Sequence, residues 1–186
     1  EINLFGESID LRFFYGIFII ISFTGFTNAT NLTDGLDGLL GGTSAIITTG
    51  ITVLAFINKN YHVMYFGISL LTGILAFLIF NLPRARIFMG DTGSLAIGAA
   101  LFSMLLCLNM DVLIFVFGII YLVETISVML QVWFFKKTSG ERLFKMSPFH
   151  HHLELSGLKD FQIDIIFWII TLICTIFACI LGVRVF

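Results

Sequence analysis

Leu39–Ile57 and His62–Phe80 are two apolar runs, each long enough to cross a bilayer and neither interrupted by Asp, Glu, Lys or Arg. A helical span needs about 20 mostly apolar residues. Four further runs have the same character: Leu11–Thr27, Ser94–Leu108, Val112–Phe135 and Ile163–Val185. In hydrocarbon every backbone polar group must find its partner within the protein, which leaves helices and closed barrels as the only solutions. The runs are continuous, whereas the strands of a barrel alternate with a period of two. The pattern therefore predicts an all-α, polytopic membrane protein with six transmembrane helices in one domain over residues 1–186. Composition agrees: 58% of residues are hydrophobic and 12% charged, where a soluble domain carries roughly a quarter charged. A soluble enzyme is excluded. Cys107, Cys174 and Cys179 all fall inside apolar runs and are expected to be small buried hydrophobes, not a disulfide or a metal set.

Three polar segments interrupt the oil. The first is Asn28-Ala-Thr-Asn31-Leu-Thr-Asp34-Gly35-Leu-Asp37-Gly38, between the first two runs. Polar and ionisable residues so close to hydrocarbon are costly and are by default a functional site. Asn28, Asn31, Asp34 and Asp37 recur every three residues, a step that falls about 60° short of a helical turn. With Gly35 and Gly38 interrupting, a wound loop at a helix end is expected, able to converge carboxylates on a cation or on sugar hydroxyls. The bland alternative is a capped turn, but a cap needs one such residue and not four.

The second segment is Phe88-Met-Gly90-Asp91-Thr-Gly93-Ser94, with Ser94 opening a helix. Asp91 there either caps that helix or holds Mg²⁺, which prefers one or two carboxylates together with phosphate and water. Phe88 is placed to stack on a base. The third segment, Ser147-Pro148-Phe149-His150-His151-His152-Leu153-Glu154, carries three adjacent imidazoles that point in different directions. They do not suit one tetrahedral zinc, whose ligands come from spaced pairs. Hydrogen bonding to phosphates suits them better. Glu124, inside the fifth run, has no partner legible in the sequence.

Counting spans places all three segments on one side, with Arg84, Arg86, Lys136, Lys137, Arg142, Lys145 and Lys159, against Arg12, Lys59 and Arg184 on the other. That bias marks the cytoplasmic side. The polar segments are thus expected to form one site, assembled from loops, on the cytoplasmic face of the membrane.

Together, Asn28–Gly38, Phe88–Ser94 and the run from Glu141 to Glu154 resemble the phospho-N-acetylmuramoyl-pentapeptide-transferase (translocase I) family. This family belongs to the polyprenyl-phosphate N-acetylhexosamine-1-phosphate transferases. The first two motifs are shared across that superfamily. The Pro-x-His-His-His-x-Glu form resembles the muramoyl-pentapeptide branch. The resemblance implies a ten-helix fold of which this chain is the last six helices. It also implies transfer of phospho-MurNAc-pentapeptide from UDP-MurNAc-pentapeptide to undecaprenyl phosphate, giving lipid I and UMP in peptidoglycan synthesis at the bacterial inner (plasma) membrane. Mg²⁺ is the implied cofactor. No nucleic acid is implied as a partner, and a homodimer is left open.

Carried over by position, Asp91 is the metal ligand and Asp91, Asp34 and His151 are the catalytic candidates. Asn28, Asn31, Asp34 and Asp37 line the nucleotide-sugar cleft, Asn81 and Phe88 belong to the uridine pocket, and His150, His151 and His152 contact the sugar-phosphate end. The family's adjacent aspartate pair and the lysine after it belong to the upstream half, and no Asp-Asp pair occurs here. The chain on its own is therefore expected to be inactive. Two other readings compete. A sister enzyme loading UDP-N-acetylglucosamine resembles a His-x-His-His-Arg ending instead. An ion-coupled transporter expects carboxylates near the midplane, where only Glu124 qualifies.

Overall fold

A computed structural model describes residues 2–4, 7–9 and 12–185. Leu11, the expected start of the first span, and the terminal Glu1 and Phe186 lie outside the described residues. Two short strands, β1 (Ile2–Leu4) and β2 (Glu7–Ile9), pair antiparallel at the start. The rest is helical: α1 (Arg12–Thr33), α2 (Leu39–Ile57), α3 (Tyr61–Asn81), α4 (Gly90–Cys107), α5 (Ile114–Phe117), α6 (Ile119–Lys137), α7 (Phe149–Glu154) and α8 (Asp160–Val185). Among the described residues, five helices, α2, α3, α4, α6 and α8, are long and apolar enough to cross a membrane. At 22 residues α1 is as long, and its apolar run lies ahead of Asn28, Thr30 and Asn31 in its last turns.

The bundle is organised around α2, which packs against both α3 and α8, while α1 packs against α4 and α6. Its core includes Leu39, Leu40, Ile51, Leu54, Leu101, Phe102, Leu105 and Phe117. Other large apolar side chains, among them Ile79, Met129, Trp133 and Ile173, point outward. That is the arrangement of a bundle whose solvent is lipid. Several glycines in the apolar runs, Gly67, Gly98 and Gly118 among them, mark close helix contacts, as small residues do in membranes. A methyl on Gly67 would meet Thr52, one on Gly98 would meet Thr30 and Thr27, and one on Gly118 would meet the Phe26 ring. Inside the bundle the Tyr121 hydroxyl lies 3.0 Å from Ser44 Oγ and donates to Thr43 Oγ1 at 3.1 Å.

The structure corrects several boundaries. α1 runs through Asn28 and Asn31, so the expected wound loop is confined to the turn after Thr33. α4 begins at Gly90 and takes Asp91 into its first turn, four residues before the expected start at Ser94. The long fifth span is broken into a 3-10 turn at Asp111–Leu113, α5 and α6, with the break at Gly118, where the Phe26 ring occupies the space of a side chain. The third polar segment is not a loop from end to end, since α7 contains all three histidines. The cysteines are free, but Cys107 is exposed and the other two are only half-buried, so they are not core residues.

Candidate active site

All three polar segments meet at one end of the bundle. Asn31, on the last turn of α1, donates from Nδ2 to Asp91 Oδ1 at 2.9 Å and to Ser94 Oγ at 2.9 Å. One amide thus ties the first segment to the second and fixes a carboxylate oxygen of Asp91. Beneath it, Thr30 Oγ1 donates to the Ser94 carbonyl at 3.0 Å, holding α1 and α4 in register.

The turn after α1 is built for tight approach. Gly38 has φ of +89°, a conformation in which a side chain is strained. Its N–H donates to Asn81 Oδ1 at 3.0 Å, and Asn81 Nδ2 donates to the Ile87 carbonyl at 3.0 Å. Asn81 is buried, so its whole amide serves to stitch the first segment to the loop that precedes Asp91. Asp37 adds a second stitch, its Oδ2 accepting from the Ala85 N–H at 2.8 Å.

These contacts enclose a cleft of about 290 Å³ lined by Asn31, Asp34, Asp37, Asn81, Phe88 and Asp91, together with Gly35, Leu36, Met89 and Gly90. Phe88 stands 75% exposed at its rim. Burial lifts the Asp34 carboxyl above its usual range, the Asp91 charge lifts it further, and the backbone N–H of Gly90 pulls it back. Asp34 and Asp91 share one open cleft. Among the described residues no group of three or more His, Cys, Asp and Glu is poised to hold a metal. The donor set suits a hard cation that takes one or two carboxylates and completes its shell with phosphate and water, which is the habit of Mg²⁺.

The remaining candidates fall elsewhere. Asn28 does not line the cleft; its Nδ2 donates to the Thr24 carbonyl one turn back at 2.8 Å. His151 Nδ1 pairs with Glu154, leaving the ring half-exposed beside the His150 ring, 4.2 Å away centroid to centroid. His152 holds the loop, its Nδ1 accepting from the Lys145 N–H at 3.1 Å and its ring stacked on Phe149 and edge-on to Phe144. His150 is buried, with its N–H donating to Glu124 Oε1 at 3.2 Å and its Nδ1 3.2 Å from Glu124 Oε2.

Glu124, Gln131 and Asp164 are the residues that sequence reasoning left without a role. Gln131 is buried on α6 and clamps Phe144 at both ends, donating to its carbonyl at 3.2 Å and accepting its N–H at 2.8 Å. Asp164 is buried on α8 near Gly38, with neither oxygen bonded. Glu124 carried one signal, a lone carboxylate in an apolar helix; Gln131 and Asp164 carried weaker ones.

Residues 1–109, more than half the chain, match the model of glycosyl transferase family 4. The chain belongs to that family. Among curated relatives, the phospho-N-acetylmuramoyl-pentapeptide-transferase of Lactococcus lactis subsp. cremoris strain MG1363 is 42% identical over 184 residues, covering 95% of this chain and 56% of the relative. The protein of that name from Latilactobacillus sakei subsp. sakei is 44% identical over 168 residues, covering 90% and 52%. That from Listeria innocua is 45% identical over 178 residues, covering 96% and 55%. The chain spans about half the length of the curated relatives it matches. The family match takes in Asn31, Asp34, Asp37, Asn81, Phe88 and Asp91, the residues of the cleft.

Proposed function

We propose that this chain carries the nucleotide-sugar side of a membrane phospho-sugar transferase, and that the full-length protein makes lipid I. The donor is UDP-MurNAc-pentapeptide, the acceptor undecaprenyl phosphate, and the site faces the cytoplasm. An acceptor phosphate oxygen bonds to the sugar-linked phosphorus of the donor, the diphosphate P–O bond breaks, and UMP leaves with that oxygen. Such chemistry asks the protein chiefly for alignment and neutralisation of charge. The observation that carries the reading is the union of the first two motifs in one open carboxylate cleft through the Asn31–Asp91 bond. The name shared by the relatives supports the muramoyl-pentapeptide donor.

In this reading Asp91, with Asp34 in the same cleft, would hold Mg²⁺, which would supply positive charge to the diphosphate of the donor. Asn31 fixes the orientation of the Asp91 carboxylate. Asp37 and Asn81 hold the walls of the cleft, and Phe88 offers an exposed ring to the uracil. His151 is the histidine left open to the sugar phosphate. The direct test is transfer by the purified full-length protein with a polyprenyl phosphate acceptor and either UDP-MurNAc-pentapeptide or UDP-N-acetylglucosamine. Preference for the first is expected. Preference for the second would assign the protein to a sister branch, and no transfer from either would end the reading.

A further inference from the structure

Glu124 and His150 form a buried unit that the transfer reaction does not account for. Glu124 is fully buried in α6, a membrane-spanning helix, and His150 is 1% exposed. Burying this pair is expensive, and two apolar side chains of the same volume would serve a bundle as well or better. Its geometry is nevertheless specific. Glu124 accepts from the His150 backbone N–H and lies against Nδ1, a contact that calls for a proton on Nδ1. Nε2 is left buried without a hydrogen-bond partner. It faces Gly35: a methyl built there would come 2.6 Å from His150 Cε1 and closer still to Nε2. Gly35 sits between Asp34 and Asp37 and lines the cleft, while His150 is not among the lining residues.

We propose that His150 does not touch substrate and is instead a positioning residue, aimed by Glu124, whose ring presses on the bare backbone of Gly35 and sets the Asp34–Asp37 turn. The idea rests on the transferase reading for its catalytic consequence but not for the contact itself. A histidine serving only to fill the core would have both nitrogens satisfied. A histidine serving the substrate would be accessible from the cleft. His150 is neither, and it joins the third motif to the first at Gly35, where a side chain would collide with its ring. The charged or titratable groups beside the ring are Glu124 on α6, His151 on α7 and Asp164 on α8.

The test is a double-substitution cycle in the full-length protein: wild type, Gly35→Ala, His150→Ala and both together, with Glu124→Gln and Glu124→Ala alongside. Displacing catalytic groups by about 1 Å costs on the order of 100-fold. Gly35→Ala is therefore expected to lower kcat by tens of fold, with the KM for UDP-MurNAc-pentapeptide moved less than about threefold. With the His150 ring gone, the same substitution should add less than about threefold. Glu124→Gln retains an oxygen acceptor and should stay within about fivefold of wild type, while Glu124→Ala should match His150→Ala. An equal cost of Gly35→Ala with and without the ring would overturn the proposal, as would Glu124→Ala at near wild-type kcat. Thermal midpoints of the same four proteins supply a readout independent of catalysis. If the wild-type protein transfers neither sugar, the functional reading fails, and non-additive midpoints at positions 35 and 150 still decide the contact.

Discussion

Replacing Asp91 by Asn separates a metal ligand from a carboxylate that serves only the start of its helix. The structure does not place Asp91 at the cap, which is Met89; it sits in the first turn of α4, where Asn gives up only a favourable charge–dipole interaction of about 0.3–1 kcal/mol. Its Oδ1 accepts from Asn31 at 2.9 Å, and an amide oxygen at that position accepts equally well. Packing is unchanged because the residue is exposed. What disappears is one negative charge. That charge raises the Asp34 carboxyl, so removing it relieves a repulsion worth at most about 1 kcal/mol between solvated groups. The folded protein should therefore be about as stable as wild type. Activity should fall far more. A metal held at a phosphate contributes several kcal/mol of charge stabilisation, and losing about 4 kcal/mol is roughly a thousandfold in rate. The assay is lipid I formation at saturating Mg²⁺ by full-length Asp91→Asn, with the thermal midpoint measured on the same preparation. Turnover within tenfold of wild type would refute the metal role. A midpoint several degrees lower would show that the residue holds the helix.

Asp91→Cys and Lys59→Cys should react with a membrane-impermeant thiol reagent from opposite faces of the membrane; labelling from one face would dismiss the topology. Gly42→Ala places a methyl into the Trp168 indole on α8, and overpacking of this kind should destabilise by about 1–3 kcal/mol, read as a lower thermal midpoint in detergent. Tyr121→Phe strips the hydroxyl shared with Ser44 and Thr43 and should cost about 1 kcal/mol with transfer otherwise intact. Gln131→Ala frees both backbone groups of Phe144, so protease cleavage of the full-length protein within residues 139–147 should accelerate; an unchanged cleavage rate would show that His152 alone secures the loop.

The helices were legible because hydrocarbon leaves so few alternatives. Leu39–Ile57 was placed to the residue, since Gly38 and Asn58 punctuate it at both ends. Boundaries failed where polar residues sit on helices all the same. Asn28 and Asn31 look like loop residues, yet α1 carries them because Asn28 bonds back to Thr24 and Asn31 bonds across to α4. The fifth span broke at Gly118, where the Phe26 ring leaves no room for a side chain, and nothing local to residues 112–135 announces a ring from α1.

The same distinction explains which site residues could be named from sequence. Asn31, Asp34, Asp37, Phe88 and Asp91 were found because each is polar or aromatic beside a glycine turn at a helix end, and the cleft joins them through neighbouring segments. Asn81 was assigned to the same pocket, but its amide is spent on Gly38 and Ile87. Its part is to hold the two motifs at a fixed separation, which spacing along the chain cannot express. The histidines make the point most sharply. Three identical side chains in a row invite one common role, yet a six-residue helix turns each to a different neighbour. His150 goes to Glu124, His151 to Glu154 and His152 to Lys145. Only the partner tells them apart, and for His150 that partner lies 26 residues earlier inside a span chosen for its oiliness. A carboxylate tolerated there at full burial marks where a distant donor must arrive.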